Sequence, residues 1–306
     1  MNALSAYDPF AIKGATVSIE ALLNTQLLAQ DTSRLKNDRT KSRKAGDQRS
    51  FFRGQGREFI EMKHYQNGDD IRRIDWKITA RKQLPFVRVM EEDRHAEQAI
   101  WINLTPSCYF GTSRCLKSVM LVHWAAFLVW RFLHLKHPLR LMIQVGDKFD
   151  EFKISNKQQA AQACHALAAS HENLANTYQT IPDSTDINWP SHWRGKPNLW
   201  LLSDFQQTNL SMIRQAIPVS RINKITLLQV VDHFEQELPR SGRLPVKHRS
   251  TQTVIDTERH SARTEHADQF LLKQQSLAQL AHYFGGLLIS ASNQSFDWQD
   301  VSKWPV

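Results

Sequence analysis

The chain has 306 residues, of which 41% are hydrophobic, and it contains 9 Trp and 15 Phe. This composition excludes wholesale disorder, and a chain of this length can bury a sizeable core as one large domain or as a domain with an appendage. The net charge is +9, and the most apolar run, residues 118–133, is too short to span a membrane and contains His123 and Arg131.

The first predicted element is an N-terminal helix followed by a basic loop. Residues 17–30 place apolar side chains at helical spacing, with Ser18 as a candidate N-cap. Residues 34–57 hold nine basic side chains against two acidic ones, and no apolar periodicity precedes Phe51. Two interpretations stay open for this segment: a solvated linker, or an electrostatic contact for nucleic acid, anionic lipid or an acidic protein surface.

Three short extended pieces are predicted between residues 51 and 96. Residues 57–65 have the composition of a first strand, and Asn67-Gly68 is typical of a hairpin turn. The second strand is predicted from an alternating apolar face made of Ile74, Trp76, Ile78 and Ala80. Residues 86–94, which follow Pro85, form the third piece.

From residue 98 onward, strands and helices alternate. Predicted strands cover residues 99–104, 139–145, 149–154, 198–202, 225–231, 252–256 and 287–290. Predicted helices cover residues 117–135, 157–169 and 210–216, and a further helix ends at Tyr283 and Phe284; residues 235–249 are interpreted as irregular. The alternation predicts an α/β fold with a mostly parallel, helix-covered sheet, whose core contains Trp101, Trp124, Trp130 and Trp200.

The cysteines and the N-terminus predict the cellular location. Cys108, Cys115 and Cys164 are odd in number and form no CxxC pair, so we expect reduced thiols rather than a disulfide framework or a zinc site. The first residues lack the basic stretch followed by an apolar one that is typical of a secretion signal. We therefore expect a cytoplasmic protein.

A signature between residues 54 and 81 resembles that of one bacterial family. It consists of Gly54-Gln55-Gly56-Arg57-Glu58-Phe59, Tyr65, Gly68-Asp69-Asp70, Arg72, Ile74-Asp75-Trp76 and Ala80-Arg81. These residues are similar to the pattern of the domain-of-unknown-function 58 family, whose members resemble von Willebrand factor A domains. The likeness continues through Phe110-Gly111, Leu116-Lys117-Ser118 and the stretch with Asp232, Glu235, Leu238-Pro239 and Gly242.

This resemblance implies a division of the chain into three parts. Residues 1–50 carry the N-terminal helix and the basic loop, and residues 51–96 form a small β-rich segment with the signature. Residues 97–306 form an A-domain-like, doubly wound, mostly parallel sheet with a C-terminal extension. The chain is similar to the short members of the family, which lack the N-terminal membrane hairpin of longer ones.

The resemblance also points to a site at the sheet edge. In A-domains, a loop of the form Asp-x-Ser-x-Ser follows the first strand and binds a divalent ion. Here Thr105 and Ser107 keep the hydroxyls, Asn103 stands in place of the leading acid, and Asp204 offers a second acid after a later strand. Because Mg²⁺ is usually held through one or two carboxylates, we expect a degenerate site that forms a protein-contact edge and binds Mg²⁺ weakly at most.

The acidic residues of the signature allow two interpretations. Carboxylates at strand ends can hold two metal ions, so a nuclease-like cluster could form from Glu58, Glu61, Asp69, Asp70 and Asp75. Arg72, Arg73 and Arg81 would then bind phosphate. The simpler interpretation is an ion-pair network, since acid and base are nearly balanced and metal sites need uncompensated carboxylate.

The leading functional hypothesis is a non-enzymatic interaction module. The resemblance implies an adaptor that works with a MoxR-type AAA+ ATPase and other A-domain-like proteins through the edge formed by Asn103, Thr105, Ser107 and Asp204. The signature residues would form a second surface or a joint: Gly56, Arg57, Glu58, Tyr65, Gly68, Asp69, Asp70, Arg72, Asp75, Trp76 and Arg81. The alternative is nucleic-acid binding through residues 34–57, with or without metal-dependent nuclease action. An enzyme ranks behind both, because the sequence contains no Walker loop, no GxGxxG and no recognisable nucleophile–base pair.

Overall fold

The computed structural model describes residues 12, 14–30, 58–65, 74–91, 96–182, 196–248, 251–294, 298 and 304. In the strands at 58–63, 87–91, 246–248 and 251–253 it describes the backbone alone. The described residues fall into two compact units, a smaller one within Lys41–His95 and a larger one formed by the rest.

The first helix, α1, covers residues 19–30 and belongs to the larger unit. The Ser18 hydroxyl accepts a hydrogen bond from the Ala21 N–H at 3.5 Å, which satisfies one of the free donors of the first turn. Leu22, Leu28 and Ala29 are buried in the main core. The predicted helix is confirmed, and its apolar stripe is the reason that it packs.

The smaller unit contains two antiparallel strands and a short helix. Strand β1 (Glu58–His64) pairs with β2 (Phe86–Glu91), and helix α2 (Trp76–Lys82) lies between them in the chain. The prediction of a strand at residues 74–80 is therefore wrong.

The physical reason for this helix is its N-cap. The Asp75 carboxylate accepts hydrogen bonds from the N–H groups of Lys77 (3.0 Å) and Ile78 (3.2 Å), and Asp is among the strongest N-cap residues. The apolar alternation that suggested a strand does not bury one face, because the Trp76 side chain is 68% exposed. The helix ends at Gln83, whose φ of 55° is left-handed.

The larger unit is built on a six-stranded sheet with the order β10-β7-β6-β3-β4-β5. Its strands are β3 (Gln98–Leu104), β4 (Leu139–Val145), β5 (Lys148–Ile154), β6 (Asn198–Ser203), β7 (Lys224–Val231) and β10 (Leu287–Ser292). All neighbouring pairs are parallel except β4 and β5, which form a hairpin. The predicted α/β fold with a mostly parallel sheet is confirmed.

Helices cover both faces of this sheet. They are α3 (Lys117–His134), α4 (Lys157–Thr177), α5 (Leu210–Ala216), α6 (His233–Gln236) and α7 (His260–Tyr283). Ile100 and Ile102 point from β3 into one core with α1, α3 and α4, whereas Trp101 points into the other core with α5 and α7. Because both faces are covered, β3 is buried along its whole length.

A separate antiparallel pair, β8 (Arg243–His248) and β9 (Thr251–Asp256), follows α6. The interpretation of residues 235–249 as irregular is wrong over this strand. Pro245 cannot donate to a strand ladder, but a two-stranded ribbon has free edges that tolerate it. The four predicted core tryptophans are buried, and the three cysteines are free thiols. Among the described residues, no helix is long and apolar enough to cross a membrane.

Candidate functional site

Three loops meet at the carboxyl edge of the parallel sheet. They follow the neighbouring strands β3, β6 and β7, and parallel strands bring such loops to one edge. The loop after β3 carries Thr105 and Ser107, Asp204 follows β6, and Asp232 and Glu235 follow β7. The first residue of α3, Lys117, lies among them.

The centre of this edge is a buried ion triad of Asp204, Lys117 and Glu235. The Lys117 ammonium lies 2.7 Å from Asp204 Oδ2 and also donates to Glu235 Oε1. Lys117 and Asp204 are completely buried, whereas the Glu235 side chain is 17% exposed. The charges are −1, +1 and −1, so the triad carries one net negative charge.

The pairing keeps Lys117 and Asp204 ionised despite their burial. Burial alone would lower the pKa of the Lys117 ammonium, but the carboxylates of Asp204 and Glu235 outweigh it and raise that pKa. Burial alone would raise the pKa of Asp204, but the charge and hydrogen bond of Lys117 lower it overall. Lys117 also stands at the start of a helix, where the macrodipole disfavours a cation, so the two carboxylates are needed to hold it there.

The second oxygen of Asp204 organises the hydroxyl loop. Asp204 Oδ1 accepts from the Thr105 hydroxyl at 3.2 Å and from the Gln206 N–H at 3.1 Å. The Ser107 hydroxyl in turn lies 3.0 Å from the Thr105 hydroxyl. Phe205, between the acid and Gln206, has a left-handed φ of 54°, a conformation that a bulky residue adopts only when its surroundings impose it.

Asp232 anchors the outer part of the edge. Its carboxylate accepts from the Thr112 N–H (2.8 Å), the Thr112 hydroxyl (2.5 Å) and the Asn293 side-chain amide (2.8 Å). Burial raises the pKa of Asp232, but these hydrogen bonds lower it overall. Glu235 Oε2 accepts from the Asp232 N–H at 2.9 Å, which completes a capping box at the start of α6. The loop after β7 is thus tied both to Lys117 and to the strand end at β10.

One aromatic side chain projects beside the triad. The Phe110 ring centroid lies 5.7 Å from the Lys117 ammonium, a cation–π distance, and the side chain is 42% exposed. The next residue must be glycine, because a Cβ on Gly111 would lie 2.4 Å from the carbonyl oxygen of Cys115. The Lys117 N–H donates to the Phe110 carbonyl at 2.9 Å. The loop therefore holds Phe110 in a fixed position at the surface.

The residues present do not fit a divalent cation beside Asp204. The carboxylate oxygen that would bind the ion is hydrogen-bonded to the Lys117 ammonium, and a second cation there would meet its repulsion. The Thr105 hydroxyl is directed at the same carboxylate. Over the described ranges, no group of three or more His, Cys, Asp or Glu side chains is arranged to hold a metal.

Comparison with known proteins places this geometry in a family. The family model described as "Protein of unknown function DUF58" matches residues 61–276, which is more than half of the chain. The chain belongs to the DUF58 family. The match contains the whole triad, whereas Gly56, Arg57 and Glu58 precede it.

Relatives of this DUF58 chain include two proteins from mycobacteria. "Uncharacterized protein Rv1480" of Mycobacterium tuberculosis strain H37Rv and "Uncharacterized protein Mb1516" of Mycobacterium bovis are each 40% identical over 199 residues. The aligned region covers 64% of this chain and 62% of the length of each relative. A crystal structure of the conserved hypothetical protein BatB from Bacteroides thetaiotaomicron aligns at 11% identity over 68% of this chain and 96% of that one. Its TM-score is 0.36, which is too low to show a shared fold.

The structure brings together three of the four residues predicted at the edge of the DUF58 sheet. Thr105, Ser107 and Asp204 are linked by hydrogen bonds. Asn103 is buried at the end of β3, and no described residue donates a hydrogen bond to its side-chain oxygen.

The signature residues of the DUF58 chain are described only in part. Gly56, Arg57, Gly68, Asp69, Asp70 and Arg72 lie outside the described residues, as do the basic segment 34–57 and the turn at Asn67-Gly68. Of the others, Glu58 lies in β1, Tyr65 donates its N–H to the Pro85 carbonyl at 2.8 Å, and Arg81 is exposed in the last turn of α2. Asp75 caps α2 instead of lying in the predicted strand, and the ion-pair network stays a prediction.

Sequence reasoning missed Lys117, Asp232 and Glu235 as site residues. Two signals could have found them. A lysine that opens a long apolar helix must be either exposed or paired, and the helix that starts at Lys117 is buried almost throughout. Asp232 and Glu235 have the spacing of a capping box, which marks a helix start directly after a buried strand.

Proposed function

We propose that this DUF58 chain is a non-enzymatic protein-interaction module of the von Willebrand factor A type, whose contact edge is organised by the Asp204–Lys117–Glu235 triad. We further propose that it acts as an adaptor for a MoxR-type AAA+ ATPase and for other A-domain-like proteins in the assembly or maturation of complexes. The observation that carries the proposal is the fully buried Lys117 ammonium in the position where a metal-binding edge would need its cation.

The hydrogen bonding of the edge supports an interaction role over catalysis. The Thr105 hydroxyl is directed at a carboxylate that is already paired with Lys117, and Ser107 contacts that hydroxyl. A nucleophile needs a free base to take its proton, and Asp204, with its lowered pKa, is a poor one. Hydroxyl groups whose hydrogen bonds are already made within the edge give that surface a defined shape.

The sheet supports the A-type assignment. Five parallel strands carry one antiparallel edge strand, with helices on both faces, and the first parallel strand of the sheet lies near its centre. This arrangement agrees with the doubly wound fold that the family resemblance implies. The partner ATPase rests on that resemblance alone.

The experiment is affinity capture with matched surface variants. Tagged protein is used to capture partners from nuclease-treated lysate of the native cell, and the eluate is identified by mass spectrometry. We expect an AAA+ ATPase to be captured by the unmodified chain and reduced at least about tenfold with Phe110→Ala, because exposed aromatic side chains at the centre of an interface carry much of its binding energy.

The control is Val219→Ala, which removes a similarly exposed apolar side chain (45%) from the turn before β7, at the opposite edge of the sheet. Equal capture by the unmodified chain and by Phe110→Ala would remove the carboxyl edge from the proposal. Absence of any AAA+ ATPase from the eluate would remove the adaptor role.

A second candidate function rests on the charge of residues 34–57. Nine bases against two acids would neutralise several phosphates of a nucleic acid. In that case, affinity for nucleic acid falls linearly with salt on a double logarithmic scale, and changing Lys41, Arg43 and Lys44 to Ser reduces the slope. A flat salt dependence would exclude this candidate.

A further inference from the structure

The two carboxylates on Lys117 differ in how firmly they are held. Asp204 is completely buried, and both of its oxygens are bonded, one to Lys117 and the other to Thr105 and Gln206. Glu235 is also bonded through both oxygens, Oε1 to Lys117 and Oε2 to the Asp232 N–H, but it is 17% exposed and reaches Lys117 from α6, a helix of four residues. The triad therefore has one fixed acid and one acid at the surface.

We propose that Glu235 is an exchangeable, built-in ligand of Lys117, and that an Asp or Glu side chain of a partner protein replaces it when the partner binds. This inference rests on the proposed function, since it names the chemistry by which the edge recognises its partner. In the free protein, Glu235 closes the site and keeps weak acidic ligands out.

The buried charge of Lys117 requires an anion in the position that Glu235 occupies. A buried ammonium that loses one of its partners is strongly destabilised, and Lys117 also stands against the dipole of α3. Glu235 can leave only if another anion takes its place. A partner carboxylate restores the charge and the hydrogen bond to Lys117, and its second oxygen can accept from the Asp232 N–H that Glu235 gives up, so the exchange itself is nearly balanced in free energy.

Helix α6 keeps part of its N-terminal cap when Glu235 leaves. The start of this helix is also capped by Asp232, which accepts from the Phe234 N–H at 3.0 Å and is held by Thr112 and Asn293. These bonds do not involve Glu235. When the Glu235 side chain rotates toward solvent it gives up the hydrogen bond from the Asp232 N–H, and the remaining bonds of Asp232 hold the helix start in place.

The surface next to Lys117 carries an exposed aromatic ring. The Phe110 ring is exposed and lies beside the same ammonium, on a loop fixed by Gly111. A partner segment that inserts a carboxylate would cover this ring with its adjoining residue. The site is thus suited to an acidic side chain followed or preceded by an apolar one.

The test is chemical rescue of Glu235→Ala. This variant leaves Lys117 with Asp204 alone, so we expect a lower thermal unfolding midpoint in chloride buffer. Propionate at the same ionic strength should restore most of the lost midpoint, because it supplies a carboxylate to the opened position, whereas propionamide should not. The tripeptide acetyl-Gly-Glu-Gly-amide should bind Glu235→Ala at least about tenfold more tightly than the unmodified chain, in which the tethered Glu235 competes.

Two variants serve as controls. Asp204→Ala removes the buried acid, whose position solvent does not reach, and Glu237→Ala removes an exposed acid next to α6. Rescue of Asp204→Ala to the same extent, or equal stabilisation of Glu237→Ala, would show a general salt effect and overturn the proposal. So would a folded Glu235→Ala that responds equally to propionate and chloride.

If Glu235→Ala does not fold in chloride, refolding in propionate supports the proposal. If it folds in neither salt, the propionate titration of the unfolding midpoint is repeated on Glu235→Gln. Absence of a propionate effect on Glu235→Gln would overturn the proposal. The rescue is measured on the isolated protein. A positive rescue with no ATPase captured would overturn the adaptor function and keep the site, whereas the reverse result would keep the function and remove Glu235 from it.

Discussion

Helix α3 carries a buried cation near each end, and the two are treated in opposite ways. Lys117 at the start is bonded to two carboxylates. Arg131 near the end is 1% exposed, and no described residue accepts a hydrogen bond from any of its three guanidinium nitrogens. Its contact is the face of Phe127, 5.7 Å from the guanidinium carbon.

The pKa values follow this difference. The pKa of Lys117 is raised by its carboxylates, whereas burial lowers the pKa of Arg131 to about 10. The helix dipole acts in the opposite direction, because it disfavours a cation at the start of α3, where Lys117 lies, and favours one at the end, where Arg131 lies. Lys117 is thus stabilised by its two carboxylate partners although the helix dipole disfavours it, whereas Arg131 is stabilised by the helix dipole and by the Phe127 ring. The cation that is paired with carboxylates, Lys117, is the one at the end of α3 that belongs to the site.

Exchange of Lys117 for Met should give the largest effect. Lys117→Met keeps the apolar stem but leaves Asp204 and Glu235 close together without the ammonium that both contact, so we expect a loss of about 3–5 kcal/mol in the free energy of unfolding. Urea denaturation measures it. The matched control is Lys157→Met, at the exposed first residue of α4, which should change little. Equal stability of the two variants would contradict the importance of the triad.

A third basic residue of α3, His123, lies between the two cations and should make stability depend on pH. It is buried, one ring nitrogen lies 2.7 Å from the Val119 carbonyl, and the other has no partner in the described structure. Burial, with a smaller contribution from His171, lowers the pKa of His123 from 6.5 to about 4. The unfolded chain binds a proton more readily, so stability is complete above pH 6.5 and falls as the pH drops toward 4, by about 3 kcal/mol.

The measurement is urea unfolding of the unmodified chain and of His123→Gln at pH 7.5 and 4.5. The loss between these two pH values should be smaller in the variant, and the difference isolates His123 from the paired carboxylates, which both proteins share. Identical losses in the two proteins would show that His123 is not held neutral.

Arg131→Met should have a smaller effect of opposite sign. The exchange removes a guanidinium from which no described residue accepts a hydrogen bond, and it keeps most of the apolar stem over Phe127, so we expect the free energy of unfolding to rise by about 1–3 kcal/mol. The comparison with Lys117→Met is direct, since both variants place Met on the same helix. A strong destabilisation by Arg131→Met would mean that Arg131 binds an anion in solution.

The smallest expected effect is that of Mg²⁺. In the unmodified chain Lys117 holds the position beside Asp204, so the unfolding midpoint should not respond to Mg²⁺. In Lys117→Met the freed carboxylates of Asp204 and Glu235, with the Thr105 and Ser107 hydroxyls, should bind the ion and regain about 1 kcal/mol at tenfold the dissociation constant. Ca²⁺ and spermidine serve as controls for size and charge. A rise in the unmodified chain would place a metal beside the triad after all.

Much of the architecture followed from local patterns. The buried strands at 99–104, 139–145 and 225–231 and helix α5 match their predicted ranges to within one residue, because short, mainly apolar runs bounded by turn residues are typical of buried strands and α5 begins directly after the N-cap Asn209. The apolar pattern gave a wrong prediction after Asp75. The alternation there also fits a strand, but the capping carboxylate of Asp75 favours the helix that the structure contains. The pattern failed again at β8, where pairing with β9 decided the conformation.

The sequence by itself determined the layered α/β fold, the core tryptophans and the presence of hydroxyls and an acid at the ends of two strands, because these depend on residue type and spacing along the chain. Only the tertiary structure decided what those groups do. Lys117 lies 87 positions from Asp204 and 118 from Glu235, and no local pattern relates residues so far apart. Because a buried lysine that the helix dipole disfavours needs counter-charges, it is the packing of α3 against the ends of β6 and β7 that makes a lysine the cation of this edge.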